Sequence, residues 1–178
     1  MISRAMKPTV DVVVLSRYDT ELAPEVTRGL SLQSEVDIQL HRCFGEPRPD
    51  DACRWETIAH ARNCGKRMGK APWLMFLDDD VELELDAIAK LISGLQSQPL
   101  FGAMAADYLG EANDVYPEKH VAMGATLFRR TALDRIEFRW EPKKCECQCC
   151  CNDLRHQGIG IKYLSGVKAK HHLIQKPS

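Results

Sequence analysis

The fold of this chain is decided by the stretch Ala71-Pro72-Trp73-Leu74-Met75-Phe76-Leu77-Asp78-Asp79-Asp80-Val81. Its five apolar residues 73–77 are typical of a strand buried on both faces in the middle of a parallel sheet. Three carboxylates follow at the carboxyl end, where open α/β sheets bind their ligands. Neighbouring carboxylates repel one another unless a cation neutralises them, and oxygen ligands suit Mg²⁺ or Mn²⁺. The stretch therefore predicts a metal site.

A simpler interpretation is that one of these aspartates caps the helix predicted to follow. Asp is a favoured N-cap residue, and an amphipathic pattern begins within a few residues. Capping uses one aspartate, however, and does not account for three beside a buried strand. We therefore favour the ligand site.

The composition is that of an ordinary globular domain. The chain has 178 residues, of which 44% are hydrophobic and 28% charged, so we expect a single domain over residues 1–178. The formal net charge of −1 provides no general attraction for nucleic acid, and we expect no such partner. The sequence has neither the apolar core of a signal peptide nor a run approaching the ~20 apolar residues of a membrane span. This predicts a cytoplasmic protein without an integral membrane segment.

Strands and helices alternate through the first hundred residues, which favours an α/β sheet with parallel strands. Strands are predicted over residues 10–15, 36–40, 73–77, 100–106, 121–128 and 161–164. Helices are predicted over residues 24–33, from residue 55, and over residues 86–96, 129–133 and 146–157. Residues 42–51 and 107–120 are predicted to be loops.

Four segments, taken in order, resemble the family-2 glycosyltransferases, which have the GT-A nucleotide-sugar-binding fold. These segments are Val10 to Ser16 followed by Tyr18, Ala61-Arg62-Asn63-Cys64-Gly65, Phe76-Leu77-Asp78-Asp79-Asp80 with its Asp-x-Asp motif, and Gly124-Ala125-Thr126-Leu127-Phe128-Arg129-Arg130. The resemblance covers almost the whole chain. It implies a single Rossmann-like α/β domain of GT-A type, with a mainly parallel mixed sheet flanked by helices. It also implies inverting transfer of a sugar from a nucleotide-diphosphate donor to an acceptor hydroxyl.

The same resemblance implies roles for individual residues. The implied donor-binding residues are Ser16, Tyr18, Arg62, Asp78 and Asp79. The implied ligands of Mn²⁺ or Mg²⁺ are Asp80 and Asp78, with His171 or His172 as a further ligand. The implied acceptor-side residues are Gly124, Arg129 and Arg130. The acceptor itself, whether glycan, lipid or protein, is not defined by the sequence, and a homo-oligomer is left open.

The sequence departs from the family at the general base, which must deprotonate the acceptor hydroxyl as it attacks. Counting back from Gly158, Glu146 falls on the glutamate of the family's motif, and Cys147 falls where the base aspartate is expected. Glu146 or Asp153 is left as the base, and these lie two helical turns apart on one face. If neither serves, the chain would be a catalytically impaired nucleotide-sugar-binding or scaffold protein on the same fold.

A second departure concerns the nucleobase. At the expected end of the second strand the family usually offers an aspartate to the base, whereas this chain has Leu40-His41-Arg42-Cys43. The identity of the nucleotide is therefore not predicted.

The cluster Cys145-Glu146-Cys147-Gln148-Cys149-Cys150-Cys151 includes one Cys-x-x-Cys spacing but no second pair to complete a structural zinc site. Cys147, Cys150, Cys151 and Leu154 recur at i, i+3, i+4 and i+7. This pattern predicts the buried face of a helix, in which free cysteines pack as small hydrophobes. We therefore favour packing over a bound soft metal.

Overall fold

The computed structural model describes residues 6–17, 21–107 and 120–172. The strands in these ranges are β1 (Thr9–Ser16), β2 (Asp37–Phe44), β3 (Trp73–Asp78), β4 (Val81–Leu83), β5 (Phe101–Asp107), β6 (Ala125–Arg129) and β7 (Gly160–His171). The helices are α1 (Pro24–Ser31), α2 (Arg54–Gly65), α3 (Ala87–Ser97), α4 (Arg130–Leu133) and α5 (Glu146–His156). None of the helices in the described ranges is long and apolar enough to cross a membrane.

The described strands form one sheet in the order β2-β1-β3-β6-β5-β7-β4. β1 runs parallel to β2 and to β3, and β7 runs parallel to β5. β6 is antiparallel to both of its neighbours, and β4 is antiparallel to β7. The prediction of a mixed α/β sheet with helices on its faces is confirmed, as is the parallel arrangement of the first three long strands.

The strand β3 is buried on both faces, as its apolar run predicts. Met75 and Leu77 belong to one apolar cluster, and Leu74 and Phe76 belong to another on the opposite face. All four side chains are fully buried. Burial of each contributes about 1.5–3 kcal/mol, so β3 is anchored firmly enough to fix the position of the residues that follow it.

The helix α2 faces the sheet with small residues rather than with a large apolar stripe. Thr57, Ala61 and Gly65 are buried at intervals of four, whereas Ile58 is only partly buried. A Cβ at Gly65 would lie 2.7 Å from Cγ1 of Val13, so the helix approaches β1 more closely than a larger residue allows. Ala61 and Gly65 thus face the sheet, whereas Ile58 lines the cleft described below.

Several predicted boundaries need correction. β2 continues to Phe44, past the predicted start of a loop, and β7 continues to His171 rather than ending at residue 164. β6 begins at Ala125 instead of residue 121, and the short strand β4 was not predicted. These strands are defined by pairing with distant segments, which local sequence patterns do not report. Most of the predicted loop 107–120 lies outside the described residues.

The helix α3 confirms its predicted apolar face, since Ile88, Leu91, Ile92 and Leu95 are all buried. Its N-cap is Asp86, which has φ = 52° and whose Oδ1 accepts a hydrogen bond from the Ser34 backbone N–H at 3.0 Å. The aspartate triplet is therefore not used to cap this helix.

Candidate active site

The carboxyl ends of β1 and β3 meet at one edge of the sheet, where Leu15 pairs with Asp78. A cleft of about 590 Å³ opens at this edge. It is lined by all three aspartates of the triplet, by Arg62 from α2 and by Glu146 from α5. Residues far apart in sequence are thus brought together at the edge where the sequence predicts a ligand site.

Each aspartate of the triplet has a different partner. Asp79 Oδ2 accepts a hydrogen bond from Ser16 Oγ at 2.6 Å. Asp80 Oδ2 lies 3.0 Å from His171 Nε2, and Asp78 Oδ1 lies 3.4 Å from Nη2 of Arg62. The three carboxylates are therefore oriented separately around the cleft instead of converging on one point.

The pKa of Asp78 is raised, chiefly because burial disfavours its charged form. The positive charge of Arg62 opposes this shift, while the negative charges of Asp80, Glu146 and Asp79 add to it. A divalent cation in the cleft would offset this excess of negative charge. The donor set of carboxylate oxygens and one imidazole fits Mn²⁺ or Mg²⁺.

Arg62 is the buried cation of the cleft, with only 3% of its surface exposed. Its Nε lies 3.3 Å from Glu146 Oε1, and its guanidinium carbon lies 5.3 Å from the centre of the Phe76 ring. Arg62 therefore contacts a carboxylate of α5 through Nε and a carboxylate of β3 through Nη2.

Glu146 begins α5 and is 1% exposed. Its Oε1 accepts a hydrogen bond from Cys147 Sγ at 3.1 Å, whereas its Oε2 has no hydrogen-bond partner among the described residues. The other predicted base, Asp153, is paired with Arg139 at 2.8 Å and does not line the cleft. The structure thus brings one of the two predicted bases to the site.

The two C-terminal histidines have different positions. His171 pairs with Val81 in the ladder between β7 and β4, which places its ring beside Asp80. His172 donates its backbone N–H to the carbonyl oxygen of Asp80 at 2.7 Å, but its ring lies 2.8 Å from Oε2 of Glu82. Only the His171 ring is directed at the triplet.

The predicted acceptor-side arginines lie at the opposite edge of the sheet. Arg129 pairs with Trp73 at the start of β3, because β6 runs antiparallel to β3, and its Nε donates to the carbonyl oxygen of Phe101 at 3.0 Å. Arg130 Nη2 lies 2.5 Å from Oδ2 of the buried Asp11. Both arginines are therefore engaged away from the cleft.

Gly124, the third residue predicted on the acceptor side, does lie beside the triplet. Its carbonyl oxygen accepts the backbone N–H of Asp78 at 2.9 Å. Tyr18, predicted to contact the nucleobase, lies outside the described residues.

The segment Leu40-His41-Arg42-Cys43 lies inside β2 and not at its end. His41 Nε2 is 2.8 Å from Asp11 Oδ1, so this histidine belongs to a buried structural network. The cleft wall beyond β2 includes Asp51, whose carboxylate accepts from Thr57 Oγ1 at 2.6 Å. Sequence reasoning missed Asp51 because the segment before α2 shows no periodic pattern.

Cys145 and His120 also line the cleft and were not predicted. Cys145 Sγ lies 3.8 Å from His120 Nε2, a contact between residues 25 positions apart. The pKa of Cys145 is lowered to about 4, first by a hydrogen bond from Cys147 and also by His120. The pKa of Cys147 is raised by the same hydrogen bond and by desolvation of its thiol, which donates either to Cys145 or to Glu146 Oε1 and not to both at once.

Neither a family model nor a curated protein matches the sequence. Solved structures do resemble it. The mannosyltransferase PcManGT from Pyrobaculum calidifontis, in complex with GDP-Man and Mn²⁺, has a TM-score of 0.67 at 14% identity, over 97% of this chain and 59% of its own. S. aureus TarS has a TM-score of 0.63 at 12% identity, over 94% of this chain and 37% of its own. A197 from STIV has a TM-score of 0.60 at 16% identity, over 94% of this chain and 86% of its own.

These identities show the fold alone. The chain is a Rossmann-like domain with a GT-A-like fold, and its structural neighbours include a mannosyltransferase. It spans 59% of the length of the mannosyltransferase and 37% of the length of TarS.

Proposed function

We propose that this chain is a metal-dependent inverting glycosyltransferase of family 2, which moves a sugar from a nucleoside-diphosphate donor to an acceptor hydroxyl. The observation that carries the proposal is the aspartate triplet at the end of β3, which shares one cleft with the buried pair of Arg62 and Glu146. The similarity to a mannosyltransferase in complex with GDP-Man and Mn²⁺ supports it.

In this proposal Asp80 and His171 hold Mn²⁺ or Mg²⁺, with Asp78 beside them. Magnesium-type sites commonly use one or two carboxylates and take their remaining ligands from phosphate and water, so the separated carboxylates of the triplet suit a metal shared with the donor. When bound, the metal neutralises the departing diphosphate.

The donor is held by groups that the sheet already orients. Asp79 is fixed by Ser16 and is the proposed partner of the ribose hydroxyls. Arg62 supplies a buried positive charge near the diphosphate. Tyr18 remains the proposed contact to the nucleobase.

Glu146 is the proposed general base. Its Oε2 is buried and has no hydrogen-bond partner among the described residues, and is therefore available to accept the proton of an acceptor hydroxyl. A cytoplasmic location is part of the same proposal, because the cysteines are free and reduced thiols persist in that compartment.

The second candidate function is nucleotide-sugar binding without transfer. It is favoured by Cys147 at the position of the family's base and by the ion pair between Glu146 and Arg62, which occupies one oxygen of the remaining carboxylate. The two functions share donor binding and differ only in turnover.

A thermal-shift experiment tests donor binding. The purified protein is heated with uridine, guanosine, thymidine, cytidine and adenosine diphosphates and their sugars, with and without Mn²⁺. A ligand of the native state raises the melting temperature by mass action. We therefore expect one nucleotide to raise the melting temperature, and only when Mn²⁺ is present. No shift with any nucleotide would contradict both functions.

Turnover then separates the two functions. Release of nucleoside diphosphate from the selected donor is measured with panels of glycan, lipid and protein acceptors. We expect Glu146→Gln to lose turnover while keeping the donor shift, and Asp153→Asn to keep both. Donor binding without any acceptor-dependent release would favour the binding protein.

A further inference from the structure

Three potential metal ligands meet at the start of α5. Cys145, Glu146 and Cys147 each offer one donor atom, and these atoms lie within 4.8 Å of one another. All three residues line the cleft. His120 lies at the same wall, with its Nε2 3.8 Å from Cys145 Sγ.

Cys145 and Cys147 both lie at the cleft, although Cys147 also packs against the apolar core. The buried face of α5 is formed by Cys149, Cys150 and Cys151, which are at most 1% exposed. Cys145 and Cys147 are only partly buried and are directed toward the cleft. The helix therefore packs Cys147 beside Cys150 and Cys151, as predicted, and also presents it to the cleft next to Cys145.

Glu146 provides an independent indication of a ligand. Its side chain is 2% exposed, and its Oε2 has no hydrogen-bond partner among the described residues. Leaving a buried carboxylate oxygen unsatisfied is costly, and native structures normally supply a partner. A cation beside this oxygen would satisfy it.

We propose that Cys145, Cys147 and Glu146, with His120 as the fourth ligand, form a Zn²⁺ site at the edge of the cleft. Zinc bonds of about 2.0–2.3 Å in a tetrahedron place the ligand atoms roughly 3.3–3.8 Å apart. The distance of 3.8 Å between Cys145 Sγ and His120 Nε2 is at the upper end of this range, and the ligand atoms of Cys145, Glu146 and Cys147 lie within 4.8 Å of one another.

The chemistry of the donors separates this site from the site at Asp80. Thiolates favour zinc, whereas carboxylate oxygens favour Mn²⁺ and Mg²⁺. The zinc site goes beyond the proposed transfer reaction and does not depend on it. Glu146 serves one partner at a time, either the zinc ion or an acceptor hydroxyl.

Cobalt spectroscopy tests the proposal on the full chain. The reduced, metal-free protein is titrated with Co²⁺, which takes the place of Zn²⁺ and gives an intense near-ultraviolet absorption when bonded to sulfur. We expect about one equivalent of Co²⁺ to produce this absorption, and one equivalent of Zn²⁺ to abolish it. Co²⁺ held by Asp51, Glu56 and His60, a second group of described residues with ligand atoms within 4.8 Å of one another, would not produce it.

Variants assign the sulfur ligands. Cys145→Ser and Cys147→Ser should each weaken Co²⁺ binding at least about tenfold. Serine is a good N-cap residue, so Cys145→Ser preserves the start of α5. The matched control is Cys64→Ser, an exposed cysteine of α2, which should leave the titration unchanged. No sulfur-to-cobalt absorption in the parent chain, or equal absorption in Cys145→Ser, would overturn the proposal.

Asp80→Asn separates this result from the proposed function. It should keep the cobalt absorption while losing the Mn²⁺-dependent nucleotide shift. If Asp80→Asn removes the cobalt absorption as well, metal binding at the cysteines depends on the triplet and the proposal of a separate zinc site is wrong.

Discussion

Arg62 sits between two carboxylates, with Nη2 3.4 Å from Asp78 and Nε 3.3 Å from Glu146. A buried charge is tolerated only when it is paired, and removing one partner leaves the other uncompensated. The family resemblance implies that Arg62 contacts the donor. Its ion pairs therefore also stabilise the folded cleft.

We expect Arg62→Met to lower the free energy of unfolding by about 3 kcal/mol, because it leaves the buried carboxylate of Glu146 without its charged partner. Urea denaturation measures this loss. The matched control is Arg67→Met, because Arg67 is 69% exposed and lies 3.4 Å from an exposed Glu137. An exposed pair contributes roughly 0–1 kcal/mol, so equal losses in the two variants would contradict a structural role for Arg62.

Asp11 is a second buried charge, fully removed from solvent. Its carboxylate contacts the ring of His41 at 2.8 Å, the backbone N–H of Ala71 at 2.7 Å and Arg130 Nη2 at 2.5 Å. Gly69 packs directly against this network, since a Cβ there would lie 1.9 Å from Asp11 Oδ1. Position 69 also has φ = 66°, so glycine is required both by the backbone conformation and by the lack of space beside Asp11.

Gly69→Ala should be more destabilising than Gly158→Ala. Gly158 has a similar φ of 71°, but a Cβ there meets nothing within 4 Å. Gly158→Ala therefore loses only the roughly 1–2 kcal/mol that a left-handed backbone costs a residue with a Cβ. Gly69→Ala also displaces the buried carboxylate of Asp11. Thermal or urea denaturation of both variants measures the difference. Similar losses of stability would show that displacing the Asp11 carboxylate costs no free energy.

At the scale of elements, the pairing of β4 with β7 builds the side of the cleft where a metal is proposed to bind. β4 has only three residues and starts directly after the triplet, and its ladder with the end of β7 places His171 beside Asp80. The family resemblance implies a histidine ligand but does not distinguish His171 from His172, because the two are adjacent and β7 extends beyond its predicted end.

His171→Gln should weaken Mn²⁺-dependent nucleotide binding by at least about tenfold, since it removes the imidazole that faces Asp80. The matched control is His172→Gln, whose ring contacts Glu82. Calorimetric titration of the nucleotide with and without Mn²⁺ measures both variants. A larger effect for His172→Gln would reverse the assignment of the ligand.

At the scale of the whole molecule, Glu82 links the first helix to the last strand. It accepts two hydrogen bonds from Arg28 of α1, at 2.7 and 2.8 Å, and its Oε2 lies 2.8 Å from the ring of His172. These contacts, with the hydrogen bond from Arg28 as the largest, lower the pKa of Glu82 to about 2 from an ordinary value of 4.5.

This shift makes a prediction about acid unfolding. A carboxylate whose pKa is lower in the native state stabilises the fold fully above its unfolded pKa, and the stabilisation is lost as the pH falls from about 4.5 to about 2. We expect the stability of Glu82→Gln to depend less on pH in this window than that of the parent chain. Urea denaturation at several pH values measures the dependence, with Glu84→Gln, an exposed neighbour, as the control. Parallel curves for the parent and Glu82→Gln would contradict the link.

The core strands β1 and β3, the apolar face of α3 and the position of the triplet were predictable from the sequence. Each depends on a local pattern, whether a continuous β-branched or apolar run, a repeat at i, i+3, i+4 and i+7, or polar residues directly after a strand. The first or last residues of β2, β6 and β7 were not predictable, because these strand ends are set by hydrogen bonds to strands that are distant in sequence.

The sequence by itself therefore determined the class of fold and the edge of the sheet at which the cleft lies. Tertiary structure alone decided which polar residues share that cleft. It removed Arg129, Arg130 and Asp153 from it, and it added Cys145 and His120. The physical reason is that strand direction and helix rotation are fixed by long-range packing. The antiparallel β6 carries Arg129 to the far edge, and the start of α5 brings Cys145 and Glu146 to the cleft because Cys150, Cys151 and Leu154 pack in the core.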